Sequence, residues 1–176
     1  RTELTDPFSA FAGGPAGSWA IVTTGEKPKL RRFDAALHQT DEAVIPYAYE
    51  ISYDAPRQRY LLSGFRSDGR SSTSGIYAYS ALDLKQVAGQ ERPGSDVPTL
   101  FVNWGKDRIL GYSRSGPARL DVFDGDLRPV GRMIFGARPV DLVLDESRNR
   151  LYVADDHDRT HVIDLASGRQ TALWDG

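Results

Sequence analysis

The chain has 176 residues, with 22 Lys and Arg against 24 Asp and Glu, 17 Gly, 10 Pro and no Cys. A net charge of -2 gives no field that would gather nucleic acid, and no apolar run approaches the roughly 20 residues of a membrane helix. Without cysteine there is no disulfide framework, thiolate metal site or cysteine nucleophile, and such a chain suits a periplasmic or secreted compartment.

Read in chain order, the sequence predicts short strands in a repeating plan, arranged as one domain over residues 1–176. The chain opens at Arg1 rather than Met, so an upstream segment is expected to have been removed. The first copy, residues 7–46, is degenerate but keeps an apolar second strand at Trp19, Ala20, Ile21 and Val22. The second, residues 47–95, opens with Ile51, Ser52 and Tyr53, turns through Asp54 to Arg57, and continues in Tyr60, Leu61 and Leu62. The third, residues 96–138, carries Lys106, Asp107 and Arg108 before Ile109 and Leu110. The fourth, residues 139–176, gives the clearest unit. Its alternating stretch Val140, Asp141, Leu142, Val143 and Leu144 precedes a polar turn, then Leu151, Tyr152, Val153 and Ala154, then Val162, Ile163 and Asp164.

Residues 51–62 align without a gap on 142–153, matching Asp54 to Asp145, Arg57 to Arg148 and Arg59 to Arg150. An apolar residue followed by Asp or Ser also recurs at the end of each third strand, at Asp34, Ser80, Asp124 and Asp164, at intervals of 46, 44 and 40 residues. Period-2 alternation punctuated by turn formers, at a repeat near forty, predicts an all-β propeller of about four four-stranded blades, either a small ring or a partial arc. The recurring acids at strand ends are expected to cap turns. Trp19, Trp104 and Trp174 are expected to fill blade cores.

The fourth copy resembles the repeats of the YVTN and lactonase-like bacterial β-propellers in Gly136, Pro139, residues 151–154, residues 162–164 and Gly168. That family's discs have seven blades, and this chain has room for about four. The resemblance therefore implies a rare small ring or an arc whose open faces associate, and a homo-oligomer completing a larger propeller is one expectation.

Several residues stand out for chemistry. Asp155, Asp156, His157 and Asp158 concentrate hard oxygen ligands and an imidazole, as a Ca²⁺ site would require, and equally suit a solvated hairpin tip. Glu50, Thr99 and Asp141 open their first strands, the position at which lactonase-like propellers hold a calcium ion, and so form part of a metal ring by resemblance. The longest polar insertion, residues 66–75, carries Arg66, Asp68 and Arg70, and its guanidinium groups suit a carboxylate or phosphate. It equally suits a flexible solvated loop. Arg114 in the third copy joins these as a partner-binding candidate. Residues 111–115 lack the last glycine of a nucleophile elbow. The function expected is a non-enzymatic recognition or scaffold module for protein or surface partners, part of a larger extracytoplasmic protein. The alternative is a metal-dependent lactonase-like hydrolase.

Overall fold

A computed structural model describes residues 7–67, 70–93, 100–104, 108–112 and 118–176, with only the backbone described for 100–104. Among the described residues, sixteen strands form four antiparallel sheets, each an up-and-down run of four strands in chain order. Sheet 1 holds β1 (Phe8–Gly13), β2 (Trp19–Thr23), β3 (Lys29–Phe33) and β4 (Gln39–Val44). Sheet 2 holds β5 (Tyr47–Asp54), β6 (Arg59–Ser67), β7 (Ser72–Ser80) and β8 (Gln86–Pro93). Sheet 3 holds β9 (Leu100–Trp104), β10 (Arg108–Tyr112), β11 (Arg119–Asp124) and β12 (Pro129–Ile134). Sheet 4 holds β13 (Pro139–Asp145), β14 (Arg150–Asp155), β15 (Arg159–Asp164) and β16 (Arg169–Asp175). The chain divides into two compact units, Arg1–Thr99 and Leu100–Gly176, with two sheets in each.

The sheets share local devices that only a structural repeat would duplicate. Every outer strand carries one extra residue against its neighbour, at Thr40, Val87, Val130 and Thr171. The innermost strands of sheets 1, 2 and 4 are bulged as well, at Ser9, Tyr49 and Val140. A bulge bends its strand and re-aims the residues beside it. The bulges are also tied to the neighbouring sheet: Ser9 Oγ donates to the Ala48 carbonyl at 2.8 Å, and Tyr112 Oη donates to the Val140 carbonyl at 3.0 Å.

Between third and fourth strands, Asp34 Oδ1 accepts from the amides of Ala36 and His38, and Asp124 Oδ1 from those of Asp126 and Arg128. Asp164 Oδ1 accepts from the Ser167 amide and hydroxyl, and Ser80 Oγ does the same work for Leu82 and Asp83. These turns place Leu37, Leu84, Leu127 and Gly168 at positive φ. The left-handed conformation costs a leucine about 1 kcal/mol or more, offset at Leu84 and Leu127 by complete burial of the side chain.

Each unit has its own core. In the first, Ala20, Val22 and Leu30 of sheet 1 pack with Ala48, Tyr60, Leu62, Tyr77 and Tyr79 of sheet 2. In the second, Leu110, Tyr112 and Leu120 of sheet 3 pack with Leu142, Leu151, Val153 and Ile163 of sheet 4. Trp19 and Trp174 do not fill these cores, contrary to expectation. Strand alternation turns Ala20 and Val22 inward, which sends Trp19 to the opposite face. In sheet 4, Leu151 and Val153 point inward, so Tyr152 and its ring partner Trp174 lie on the far side. The side chain of Trp104 lies outside the described residues.

The insertion over residues 66–75 is largely strand. Arg66 pairs with Thr73 and Ser67 with Ser72, and Ser74 is fully buried. The extension is possible because Gly64 and Gly75 face each other across β6 and β7, where side chains would collide with the next strands on either side. A Cβ on Gly64 would lie 1.9 Å from the Tyr47 carbonyl oxygen. Gly64→Ala should therefore lower the stability measured by urea unfolding by about 2 kcal/mol or more. Gly136→Ala, where a Cβ meets nothing within 4 Å, should stay within about 0.5 kcal/mol of the parent.

Candidate functional site

The longer strands of sheet 2 overhang sheet 1. β6 and β7 have nine residues each, whereas β2 and β3 have five. At about 3.4 Å per residue, four extra residues project roughly 13 Å, and the overhang walls a cleft inside the first unit. The cleft has a volume of about 760 Å³. One side comes from Glu26, Pro28 and the Ala43–Val44–Ile45–Pro46 connection, the other from Tyr47, Phe65, Arg66, Thr73, Tyr79 and Gln86.

Arg66 runs along the sheet 2 wall. Its Nε lies 3.2 Å from Glu91 Oε1, its Nη2 donates to Gln86 Oε1 at 3.2 Å, and its guanidinium sits 5.4 Å above the Tyr77 ring. Tyr79 Oη donates to the same Gln86 oxygen at 3.4 Å, and Thr73 Oγ1 to Glu91 Oε2 at 3.5 Å. The buried Tyr77 hydroxyl is pushed up to about 12, first by burial and then by the Glu91 carboxylate. On the opposite face of sheet 2 from Arg66, Tyr47 and Phe65 have ring centroids 5.3 Å apart, and the half-exposed Tyr49 at the bulge stacks on Phe65 at 6.0 Å.

The structure places only part of the expected set here. Arg66 lines the cleft, but its guanidinium is already matched by Glu91 and Gln86. Arg70 is exposed and is not among the lining residues. Asp68, Arg114 and Thr99 lie outside the described residues. Glu50 and Asp141 each follow a bulge at equivalent positions, Glu50 in the first unit and Asp141 in the second. Asp141 Oδ1 accepts from the Leu142 amide.

Asp155, Asp156, His157 and Asp158 occupy the β14–β15 turn, but their side chains are turned to other work. Asp155 is a buried hub: Oδ1 accepts from the amides of His157 and Arg159, and Oδ2 from Arg159 Nε at 3.0 Å. His161 Nε2 lies 2.9 Å from the same Oδ2, and its Nδ1 lies 2.8 Å from Gln170 Oε1. Asp156 Oδ1 accepts from the Arg138 amide, and Asp158 takes positive φ. Among the described residues no group of three or more His, Cys, Asp or Glu side chains is arranged to hold a metal ion.

Sequence reasoning missed Gln86, Glu91, Tyr47 and Phe65. Gln86 and Glu91 are 20 and 25 residues from Arg66 and are brought to it only by the β6–β7–β8 register. The closely spaced Tyr47 and Tyr49 in β5 are the signal that could have raised the ring cluster they form with Phe65.

Burial opposes ionisation of Asp155, but bonds from His161, the His157 amide and Arg159 outweigh it and hold its carboxyl well below the usual range. A depressed folded-state value contributes stability that is complete above the unfolded value, about pH 4, and is lost as pH falls below it. Asp155→Asn should cost about 2 kcal/mol or more at pH 7 and flatten the acid limb, read by thermal melting across pH 2 to 7.

No protein-family model matches the chain, and no curated protein shows significant similarity to it. Solved structures do. BamB from Moraxella catarrhalis superposes with a TM-score of 0.70 at 12% identity over 98% of this chain and 54% of its own. A protein from Lactobacillus plantarum gives 0.73 at 13% identity over 96% and 55%. A protein of unknown function from Bacteroides caccae gives 0.66 at 12% identity over 99% and 62%. The chain thus spans about half to three-fifths of the length of these structures. Four consecutive four-stranded sheets with these likenesses establish an all-β propeller fold of four blades, blades 1 to 4 being sheets 1 to 4.

Proposed function

We propose that the chain is a non-enzymatic propeller scaffold that docks a protein partner on the open faces of its first and fourth blades, within a larger extracytoplasmic assembly. The observation that carries this reading is the chemistry of those faces. Blade 2 buries apolar residues on both sides, with Tyr60 and Leu62 on one and Leu61 and Ala78 on the other. On the far sides of blades 1 and 4 the only fully covered apolar strand residues among those described are Phe33 and Val162, and larger apolar side chains beside them are exposed. The far face of blade 1 presents Phe8, Phe11 and Trp19, which are 54%, 61% and 41% exposed, with the rings of Phe11 and Trp19 centred 6.0 Å apart. That of blade 4 presents Val143 at 60% and Trp174 at 53%, with Tyr152 against Trp174 at 5.8 Å. Contiguous aromatic surface of this kind marks an interaction site.

The partner we assign is a second copy of this chain, blade 1 of one copy resting on blade 4 of the other. The flat, ring-rich faces suit another blade, and the neighbouring folds contain nearly twice as much chain as this one. Four strands about 4.8 Å apart and six residues long present roughly 300 Å² per face, so two such contacts bury roughly 1,200 Å² in all, the lower end of a stable interface. A periplasmic or secreted setting agrees with the cysteine-free composition.

Sedimentation equilibrium should give twice the 19.5 kDa chain mass, and Trp19→Glu and Trp174→Glu should each return a single-chain mass with an unchanged circular dichroism spectrum. A single-chain mass for the parent at every concentration would overturn the assignment.

A further inference from the structure

The turns between third and fourth strands carry a leucine whose surroundings differ from blade to blade. In blade 1, Asp34 Oδ1 accepts from the amides of Ala36 and His38, and the Leu37 amide donates to the Asp34 carbonyl at 3.0 Å. Blade 3 repeats this bond for bond: Asp124 Oδ1 accepts from the amides of Asp126 and Arg128, and the Leu127 amide donates to the Asp124 carbonyl at 3.0 Å. Leu37 and Leu127 both take φ 64°. Leu84, at φ 54°, donates to the Ser80 carbonyl and holds the matching place in blade 2, and Gly168 holds it in blade 4. Glycine enters this left-handed conformation freely, whereas the Cβ of a leucine crowds the backbone there. Burial offsets the strain at Leu84 and Leu127, which are 2% and 1% exposed. Leu37 bears the same strain and is 59% exposed.

The surroundings of Leu84 define what Leu37 fits. Leu84 belongs to the core shared by blades 1 and 2, which includes Leu30 of β3, and it lines the cleft together with Ala43 of β4. Leu30 and Ala43 stand opposite each other, Leu30 four residues before the capping Asp34 and Ala43 three residues past the extra residue Thr40. In blade 4 the same places belong to Thr160 and Trp174, which pair across β15 and β16, four residues before Asp164 and three past Thr171. Trp174 is 53% exposed on the far face of that blade. The Leu37 turn leaves β3 directly after Phe33, whose strand partner Trp19 lies on the far face of blade 1. We infer that Leu37 is the anchor of the docking interface, seated against Thr160 and Trp174 of the second copy as Leu84 is seated in the core beside Leu30 and Ala43. The inference rests on the docking of a second copy through these far faces, and it names the side chain that sets their register. A turn already fixed by its own hydrogen bonds loses little freedom when its tip is buried, which favours Leu37 as the anchor.

The test is sedimentation equilibrium of the full chain across a dilution series, with thermal melting at the dilute end to read the fold of the single chain. Leu37→Asn suits the left-handed turn, so it should weaken association about tenfold or more, roughly 1.4 kcal/mol, without lowering the melting temperature. Leu37→Met keeps the apolar reach and should pair as the parent does. Leu82→Asn removes a leucine that is 81% exposed in the β7–β8 turn and should leave association unchanged. Combined with Trp174→Ala, Leu37→Asn should weaken association by less than the product of the two single effects, because the two side chains meet. A parent that is a single chain at every concentration would overturn both the docking and this inference. A parent that pairs but is indifferent to Leu37→Asn, a Leu37→Asn variant that melts below the parent, or effects at Leu37 and Trp174 that simply multiply would overturn this inference and leave the docking standing.

Discussion

A four-stranded sheet has two faces, and apolar side chains on either face must be taken out of water by something. That requirement organises this protein. In each unit the inward faces of two blades meet in a core of aliphatic and tyrosine side chains, where every square ångström of apolar surface removed from water contributes roughly 25 cal/mol. The remaining devices serve that contact. Inner-strand bulges at Ser9, Tyr49 and Val140 bend their strands, and hydrogen bonds to the Ala48 and Val140 carbonyls tie sheet 1 to sheet 2 and sheet 3 to sheet 4. Arg32 of blade 1, ion-paired with Asp41, also donates to the carbonyls of Ala81 and Leu82 at the β7–β8 turn, closing the outer side. On the far faces of blades 1 and 4 the same requirement is met only in part, with Phe33 and Val162 buried and Phe8, Phe11, Trp19, Val143 and Trp174 exposed.

The cleft has a different origin. It arises because blade 2 has longer strands than blade 1, so part of its inner face projects past the core and is lined by polar side chains. Over that projection the apolar alternation of Tyr60, Leu62, Tyr77 and Tyr79 gives way to Arg66, Thr73 and Glu91. The polar groups satisfy one another, so the wall is neutral and pre-organised and holds no isolated charge.

The fold was legible because its signals are local and repeated. Asp54 and Asp145, matched by alignment, both precede a short 3-10 turn followed by a left-handed residue, Gln58 and Asn149. Asp34, Asp124 and Asp164 cap turns as their place at strand ends implied. The sites were much less legible. A run of acids looks the same in sequence whether its oxygens converge on an ion or turn to amides and an arginine, and Asp155 does the latter. Arg66 was visible as a cation, but Glu91 and Gln86 reach it through strand pairing that no local pattern records. The Trp19 face had one readable sign: Trp19, Ala20, Ile21 and Val22 are apolar without alternation, the pattern of a strand buried on both faces, and on the far face Phe33 is buried whereas Trp19 stays 41% exposed.

The most direct test of whether the open faces seek cover is acrylamide quenching of tryptophan fluorescence across a dilution series, in a Trp104→Phe background so that only Trp19 and Trp174 report. Face-to-face association predicts that both indoles are accessible in dilute solution and become protected, with a blue-shifted emission, as concentration rises. Quenching that stays constant across the series would contradict it.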